Sequence, residues 1–411
     1  MSWLWNAYGA FGAAYEGLWK RGLVKPGGNA WHVQRSGAHT ARDDRPLWLH
    51  AASLGEVRVA SAYLAELSPL APLYLTIQTE SGFRAAVASF GSDRVGYAPL
   101  DRPANVERFI SRIHPRGLVV FETEIWPHWL STFQGPVWFA NARLTARTVG
   151  RLTPLRRTLL PIWNNVRMVF AQTALDAHRF ELLGLPLSHT CVAGQVKQFD
   201  LPFDSGNELR LRWRRRLGIG EKDLLYVAGS IRQDELVSVL SQFRRCQAEG
   251  RLVHLALAPR HLKYVGLAER RAWDQGLRTR RVSIAGGPSQ GALVYILDTH
   301  GDLAQLYAAA DLAILGGTFA PHGGHNPNEP AAFGVPVVTG PHTELVDGDL
   351  ALLSRAGLAY RLENPNDLAL VASSLERFNR ARARHELQDL ISQAPHPATL
   401  LAESVRQENA G

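Results

Sequence analysis

Gly316-Gly-Thr-Phe-Ala-Pro-His-Gly-Gly-His-Asn-Pro-Asn-Glu-Pro-Ala-Ala-Phe-Gly-Val-Pro-Val-Val-Thr-Gly-Pro-His-Thr343 reads as a glycine turn, a short helix and a buried strand. The apolar run Leu312–Leu315 leads into it as a strand, and Gly323 and Gly324 let the backbone approach a ligand closely. Asn326 is placed to cap the helix, Pro327 suits its first turn, Glu329 falls three residues after the cap and Gly334 stops it. Gly334–Thr339 is then the next strand. Backbone amides at such a helix start suit a phosphate, and Glu329 can accept hydrogen bonds from sugar hydroxyls. A capping box alone also explains Asn326 and Glu329. Two glycine pairs and His325 just upstream favour a ligand site.

Outward from this stretch, strand and helix patterns alternate as in a parallel sheet. Strand-like runs occur at Leu47–Ala51, Leu73–Ile77, Gly117–Phe121, Val137–Ala140, Met168–Ala171 and Thr190–Ala193. Helical patterns lie between most of them, including Val57–Leu67, Gly82–Phe90 and Ala174–Leu183. A hydrophilic joint at Asp204–Glu208 interrupts the series. It restarts with Leu224–Ala228, His254–Ala258, Ala292–Leu297, Leu312–Leu315 and Val335–Val338. Two βα series of similar size predict an α/β chain of two Rossmann-like domains, residues 1–203 and 204–411. Leu368–Asn409 reads as helices returning across both halves.

The 411 residues suffice for two cores, and 46% hydrophobic with 20% charged residues is ordinary for a globular chain. Two cysteines, Cys191 and Cys246, form neither a disulfide framework nor a metal-ligand spacing, so no metal site is expected. A formal charge of +8 and a pI near 9.7 suggest an anionic partner, whether phospholipid, nucleic acid or acidic substrate. A merely soluble basic surface explains the charge equally well. Leu4, Tyr8, Phe11, Tyr15 and Leu18 recur at helical spacing near Trp3, Trp5 and Trp19, followed by Lys20, Arg21 and Lys25. That face fits a helix lying at a membrane interface, or one docked on another domain.

Ligands of open α/β sheets sit beyond the carboxyl ends of strands, and the polar residues of interest follow the apolar runs. After the first strand comes His50-Ala-Ala-Ser53-Leu-Gly55-Glu56, where Glu56 either completes a capping box with Ser53 or deprotonates a hydroxyl. After the third, Glu122-Thr-Glu-Ile-Trp-Pro127 offers two carboxylates, or a first turn capped by Thr123. Val192–Lys197 ends the first half with a cation that could face anionic charge. In the second half, Gly229-Ser230, Ala258-Pro-Arg-His261 and Asp298-Thr-His-Gly-Asp302 follow successive strands. Arg260 could pair with phosphate there. Walker A, Gly-x-Gly-x-x-Gly and His-Glu-x-x-His patterns are absent.

At these residues the chain resembles the lipid A Kdo (3-deoxy-D-manno-octulosonic acid) transferase family. The blocks His50–Glu56, Glu122–Pro127, Ala140-Asn-Ala-Arg-Leu144, Ala258–His261 and Gly323–Glu329 match in order, from about Leu47 to His342. The resemblance implies a GT-B architecture, two Rossmann-like domains facing a central cleft. It implies Glu56 as general base, with Glu122 and Lys197 stabilising the transition state. Pro259, Arg260, His300, Gly301, Asp302, Asn326, Pro327, Asn328 and Glu329 would hold the cytidine monophosphate part of CMP-Kdo. That molecule would be a co-substrate, with no cofactor. The implied reaction is inverting transfer of Kdo to a lipid A precursor, at the cytoplasmic face of the inner membrane, by a protein attached peripherally or through its N-terminus. This chain departs from the family pattern at Asp302, Asn328, Arg232 and the extra Gln198 after Lys197.

A nucleotide-sugar epimerase on the same fold is the alternative, and the aromatic N-terminus argues against it. Nucleic acid is not an expected partner. The basic residues are scattered apart from Arg210–Arg216, which reads as a solvated helix face or a lipid-phosphate contact.

Overall fold

The computed structural model describes residues 29–203, 206–247, 252–284, 294–364, 367–375 and 378–410. The aromatic stretch Trp3–Lys25 lies outside them. The chain divides into two compact units, residues 1–197 with 395–411, and residues 198–394. The joint therefore falls at Lys197/Gln198 rather than 203/204, and the last segment rejoins the first unit.

The first unit carries β1 (Leu47–Ala51), β2 (Leu73–Ile77), β3 (Val95–Tyr97), β4 (Gly117–Phe121), β5 (Val137–Ala142), β6 (Val166–Ala171) and β7 (Thr190–Val192). They form one seven-stranded sheet in the order β3-β2-β1-β4-β5-β6-β7, and every pair is parallel. Parallel strands need helical crossovers, which cover both faces, so their sequences are mostly apolar. In β1, Leu47, Leu49 and Ala51 enter one core layer while Trp48 enters the opposite one. That two-residue period follows from the pleat.

The second unit repeats the scheme with β8 (Leu224–Ile231), β9 (Val253–Pro259), β10 (Thr279–Arg281), β11 (Val294–Ile296), β12 (Leu312–Leu315), β13 (Val337–Thr339) and β14 (Ala359–Arg361). Their order is β10-β11-β9-β8-β12-β13-β14, again all parallel. Leu225 and Val227 face one layer, Tyr226 and Ala228 the other. The three strands that the apolar runs did not reveal, β3, β10 and β14, are three residues each and sit at or near sheet edges. Thr279-Arg-Arg281 carries too little apolar surface to read as a strand on its own.

The C-terminal helices divide between the units. Leu368–Ser374 and Arg380–Ser392 belong to the second. Pro397–Ala410 packs on the first sheet through Ala398, Leu401, Ala402 and Val405. The Trp138 indole N–H donates to Ser404 Oγ at 2.9 Å, and Arg167 pairs with Glu408 at 2.9 Å. Among the described residues, no helix is long and apolar enough to cross a membrane.

Candidate active site

In the first unit, β1 ends at Ala51 and Ser53 caps the helix Leu54–Ser61, its Oγ accepting from the Glu56 N–H at 3.5 Å. The Glu56 carboxylate turns back to accept the Ala52 N–H at 2.6 Å and the Ser53 hydroxyl at 3.3 Å. Glu56 therefore does cap its helix. It is also only 9% exposed, and burial pushes its carboxyl up to about 7, with Glu122 and Glu124 adding to the rise. A carboxylate poised near neutrality is what a general base needs. A side chain at Gly55 would find nothing nearer than Ser53 Oγ at 3.7 Å, so the turn above Glu56 is open. His50 is a different matter. It is fully buried, held down to about 3 by desolvation and bonded to Thr76 Oγ1 at 3.0 Å, so it belongs to the core.

Glu122 leaves β4 in the left-handed region at φ 59°, and its N–H donates to Ala140 O at 3.0 Å. That uncommon conformation turns it out of the strand direction. Burial raises the Glu124 carboxyl, and Glu122 adds to the effect. Thr123 caps nothing: the next helix is Pro127–Thr132, and its amides at His128 and Trp129 donate to Asp101 at 3.3 and 2.9 Å. Lys197 is exposed in the short helix Val196–Phe199 at the end of the first unit. Sequence reasoning missed the residue behind it, Asn141. At φ 50°, Asn141 accepts the Val196 N–H on its side-chain oxygen at 3.2 Å. The signal was present, since Asn tolerates the left-handed region.

In the second unit the remaining candidates follow the carboxyl ends of β9, β11 and β12. Pro259 ends β9 buried, and Arg260 beside it is exposed. After β11, Thr299 donates to the Asp302 carboxylate at 2.7 Å, which holds the turn through His300 and Gly301 (φ 82°). Asn326 does not cap the helix as expected. Its oxygen accepts the Asn328 N–H two residues on, at 3.1 Å, and the helix runs from Asn328 to Ala332. An Asx turn has taken the place of the cap, because the short side chain reaches the nearer amide. Glu329 then receives the Asn326 amide at 3.2 Å, and burial raises its carboxyl. Asn328 is buried on Asp349, at 2.8 Å, and Pro327 is buried before it. Gly334, at φ 70°, ends the stretch as the sequence suggests. The basic run on the helix Asn207–Leu217 is partly structural: Arg210 and Arg214 pair with Asp311 at 2.7 and 3.3 Å, and Arg216 lies over Trp213.

Against known proteins, residues 29–200 match the family model described as 3-Deoxy-D-manno-octulosonic-acid transferase (kdotransferase). The 3-deoxy-D-manno-octulosonic acid transferase of Haemophilus influenzae is 31% identical over 309 residues, covering 72% of this chain and 71% of that protein. The chain belongs to the Kdo transferase family. The Kdo transferase of Bordetella pertussis is also 31% identical, with 79% of each chain covered. Among solved structures, Anabaena HepE in complex with UDP-glucose aligns with a TM-score of 0.58 at 15% identity, over 89% of this chain and 99% of that one. That likeness shows the fold alone, the GT-B fold. As a Kdo transferase the chain is a glycosyltransferase, and the epimerase alternative is not favoured.

Proposed function

We propose that this Kdo transferase moves Kdo from CMP-Kdo to a hydroxyl of a lipid A precursor, with inversion, in lipopolysaccharide biosynthesis. The buried Glu56 carboxyl, raised to about 7 at the end of β1, carries the reading. In the proposed step Glu56 takes the proton of the acceptor hydroxyl. The hydroxyl oxygen bonds to the anomeric carbon of Kdo as the bond from that carbon to the phosphate oxygen breaks, and CMP leaves. Direct displacement by one base gives inversion, the logic of single-step glycoside chemistry.

Glu122 and Lys197 are assigned to stabilising the charge that develops. Pro259, Arg260, His300, Gly301, Asp302, Asn326, Pro327, Asn328 and Glu329 are assigned to the cytidine monophosphate part. Arg260 suits the phosphate and Glu329 the ribose hydroxyls, because a guanidinium fork matches phosphate oxygens and a carboxylate accepts from hydroxyls. CMP-Kdo is co-substrate and no cofactor is invoked. The net charge of +8 and the aromatic N-terminal sequence fit a lipid acceptor at an anionic bilayer, on the cytoplasmic face of the inner membrane. Incubation with CMP-Kdo and a tetraacylated lipid A precursor should yield Kdo-bearing lipid by mass spectrometry. CMP-Kdo left intact, with no lipid product, would refute the proposal.

A further inference from the structure

Several guanidinium groups of the second unit are spent on the fold. Arg210 and Arg214 are paired with Asp311, and Arg380 donates to the carbonyls of Ala308, Ala310 and Phe333. Arg232 differs. Its side chain has no hydrogen bond or ion pair among the described residues, and its Nε is shut away from solvent without a partner. The side chain as a whole is half-buried, and an enclosed N–H of a permanent cation is costly unless a ligand completes it.

The backbone fixes what stands beside it. Arg232 follows β8 and Arg260 follows β9; Ile231 pairs with Pro259, and the Arg260 N–H donates to Ile231 O at 2.8 Å. On the other side of β8, Leu315 of β12 lies opposite Gly229, and the His325 N–H returns to Gly316 O at 3.1 Å. The His325 ring lies against Gly317, and its Nε2 is likewise enclosed without a partner. Burial, then Arg260 and Arg232, hold that ring down to about 4, so at neutral pH it is uncharged.

The nearby acids do not neutralise the group. Glu235 is wholly buried, and its two oxygens accept the N–H groups of Arg232, Gly317 and Phe319, each at 2.9 Å. It ties the loops after β8 and β12 together and leaves the Arg232 guanidinium unpaired. Asp234 is engaged by His322 at 2.8 Å.

We propose that Arg232, with Arg260 and His325, forms an oxyanion subsite that takes an oxygen of the nucleotide sugar, from either its phosphate or its sugar carboxylate. This deepens the donor site proposed above and rests on it. Arg232 and His325 are additions to the residues assigned there.

Titration calorimetry of the full chain with cytidine, CMP and CMP-Kdo, for wild type and Arg232→Gln, tests it. The variant should keep or raise its thermal midpoint, since no protein group depends on the guanidinium, and should bind cytidine as wild type does. CMP-Kdo should bind about tenfold or more weakly, the scale of one lost charge-assisted bond. An equal loss with CMP assigns the oxygen to phosphate; a loss with CMP-Kdo alone assigns it to the sugar carboxylate. Arg232→Lys should recover part of the affinity. Unchanged binding of all three ligands, or an equal loss for cytidine, overturns the subsite while the donor reading stands. Failure of the wild type to bind CMP and CMP-Kdo overturns both.

Discussion

The side-chain oxygen of Asn141 accepts the backbone N–H of Val196, the residue before Lys197. The carbonyl one residue earlier, at Ala140, accepts the N–H of Glu122. The end of β5 thus anchors two of the charged residues assigned to the reaction, from neighbouring points on one strand.

Asn141→Gly should keep the left-handed backbone at ease while deleting the bond to Val196. Transfer at saturating substrates should fall by about tenfold, the worth of roughly one hydrogen bond, with CMP affinity unchanged. Initial rates and calorimetry check it. A wild-type rate would show that Lys197 is placed by something else.

Transfer should rise with pH along a single-proton curve with its midpoint near 7, because Glu56 must be ionised to accept a proton. Glu56→Gln should remove activity by roughly 10²- to 10⁴-fold at every pH and leave CMP binding intact. A pH profile flat from 6 to 8 (about the useful range for a neutral base) would contradict the assignment.

Stability carries the same signature with a defined sign. Glu56 has a folded value above its ordinary one of 4.5, so the native state holds this proton more tightly than the unfolded chain. Stability should decline as pH rises from that ordinary value through about 7, by an amount on the order of 3 kcal/mol. Glu56→Gln should abolish this part of the decline and unfold at higher denaturant than wild type at pH ~8. Matched urea curves at acid and alkaline pH measure it.

Glu329→Ala should weaken CMP by about tenfold, having removed an acceptor for sugar hydroxyls, while the rate at saturating donor stays near wild type. A drop in rate without a change in CMP affinity would move Glu329 out of the donor site.

Gly316→Ala should destabilise the second unit by about 3 kcal/mol, the upper end of ordinary overpacking. The added carbon would lie 2.4 Å from Ser230 O and 2.6 Å from Gly229 O, and backbone in the centre of a sheet cannot step aside. A thermal midpoint equal to wild type would refute the close approach.

The long apolar strands were legible because both faces of a parallel sheet are buried; Leu47–Ala51 and Leu312–Leu315 match their expected limits. Edge strands such as Thr279–Arg281 were not, since half-covered strands carry charge. Glu56 was visible through its spacing from Ser53, yet spacing alone could not separate a cap from a base. The structure shows the cap, made by a buried carboxylate raised to about 7, and the base role is proposed on that ground. The bonds from remote amides to Asp101, Asn141 and Glu235 escaped notice because they join segments far apart in sequence, which no local pattern records. Asn326 misled for the opposite reason: two local bonds competed for its side chain and the shorter loop won.

The return of Pro397–Ala410 to the first sheet has a consequence for synthesis on the ribosome. The lobe that is translated earlier lacks Ala398, Leu401, Ala402 and Val405 from its core until this helix emerges. The lobe translated later has all its own strands by then. Order of manufacture and order of completion are therefore reversed, and nascent chains halted before residue 395 should be the ones that chaperones retain.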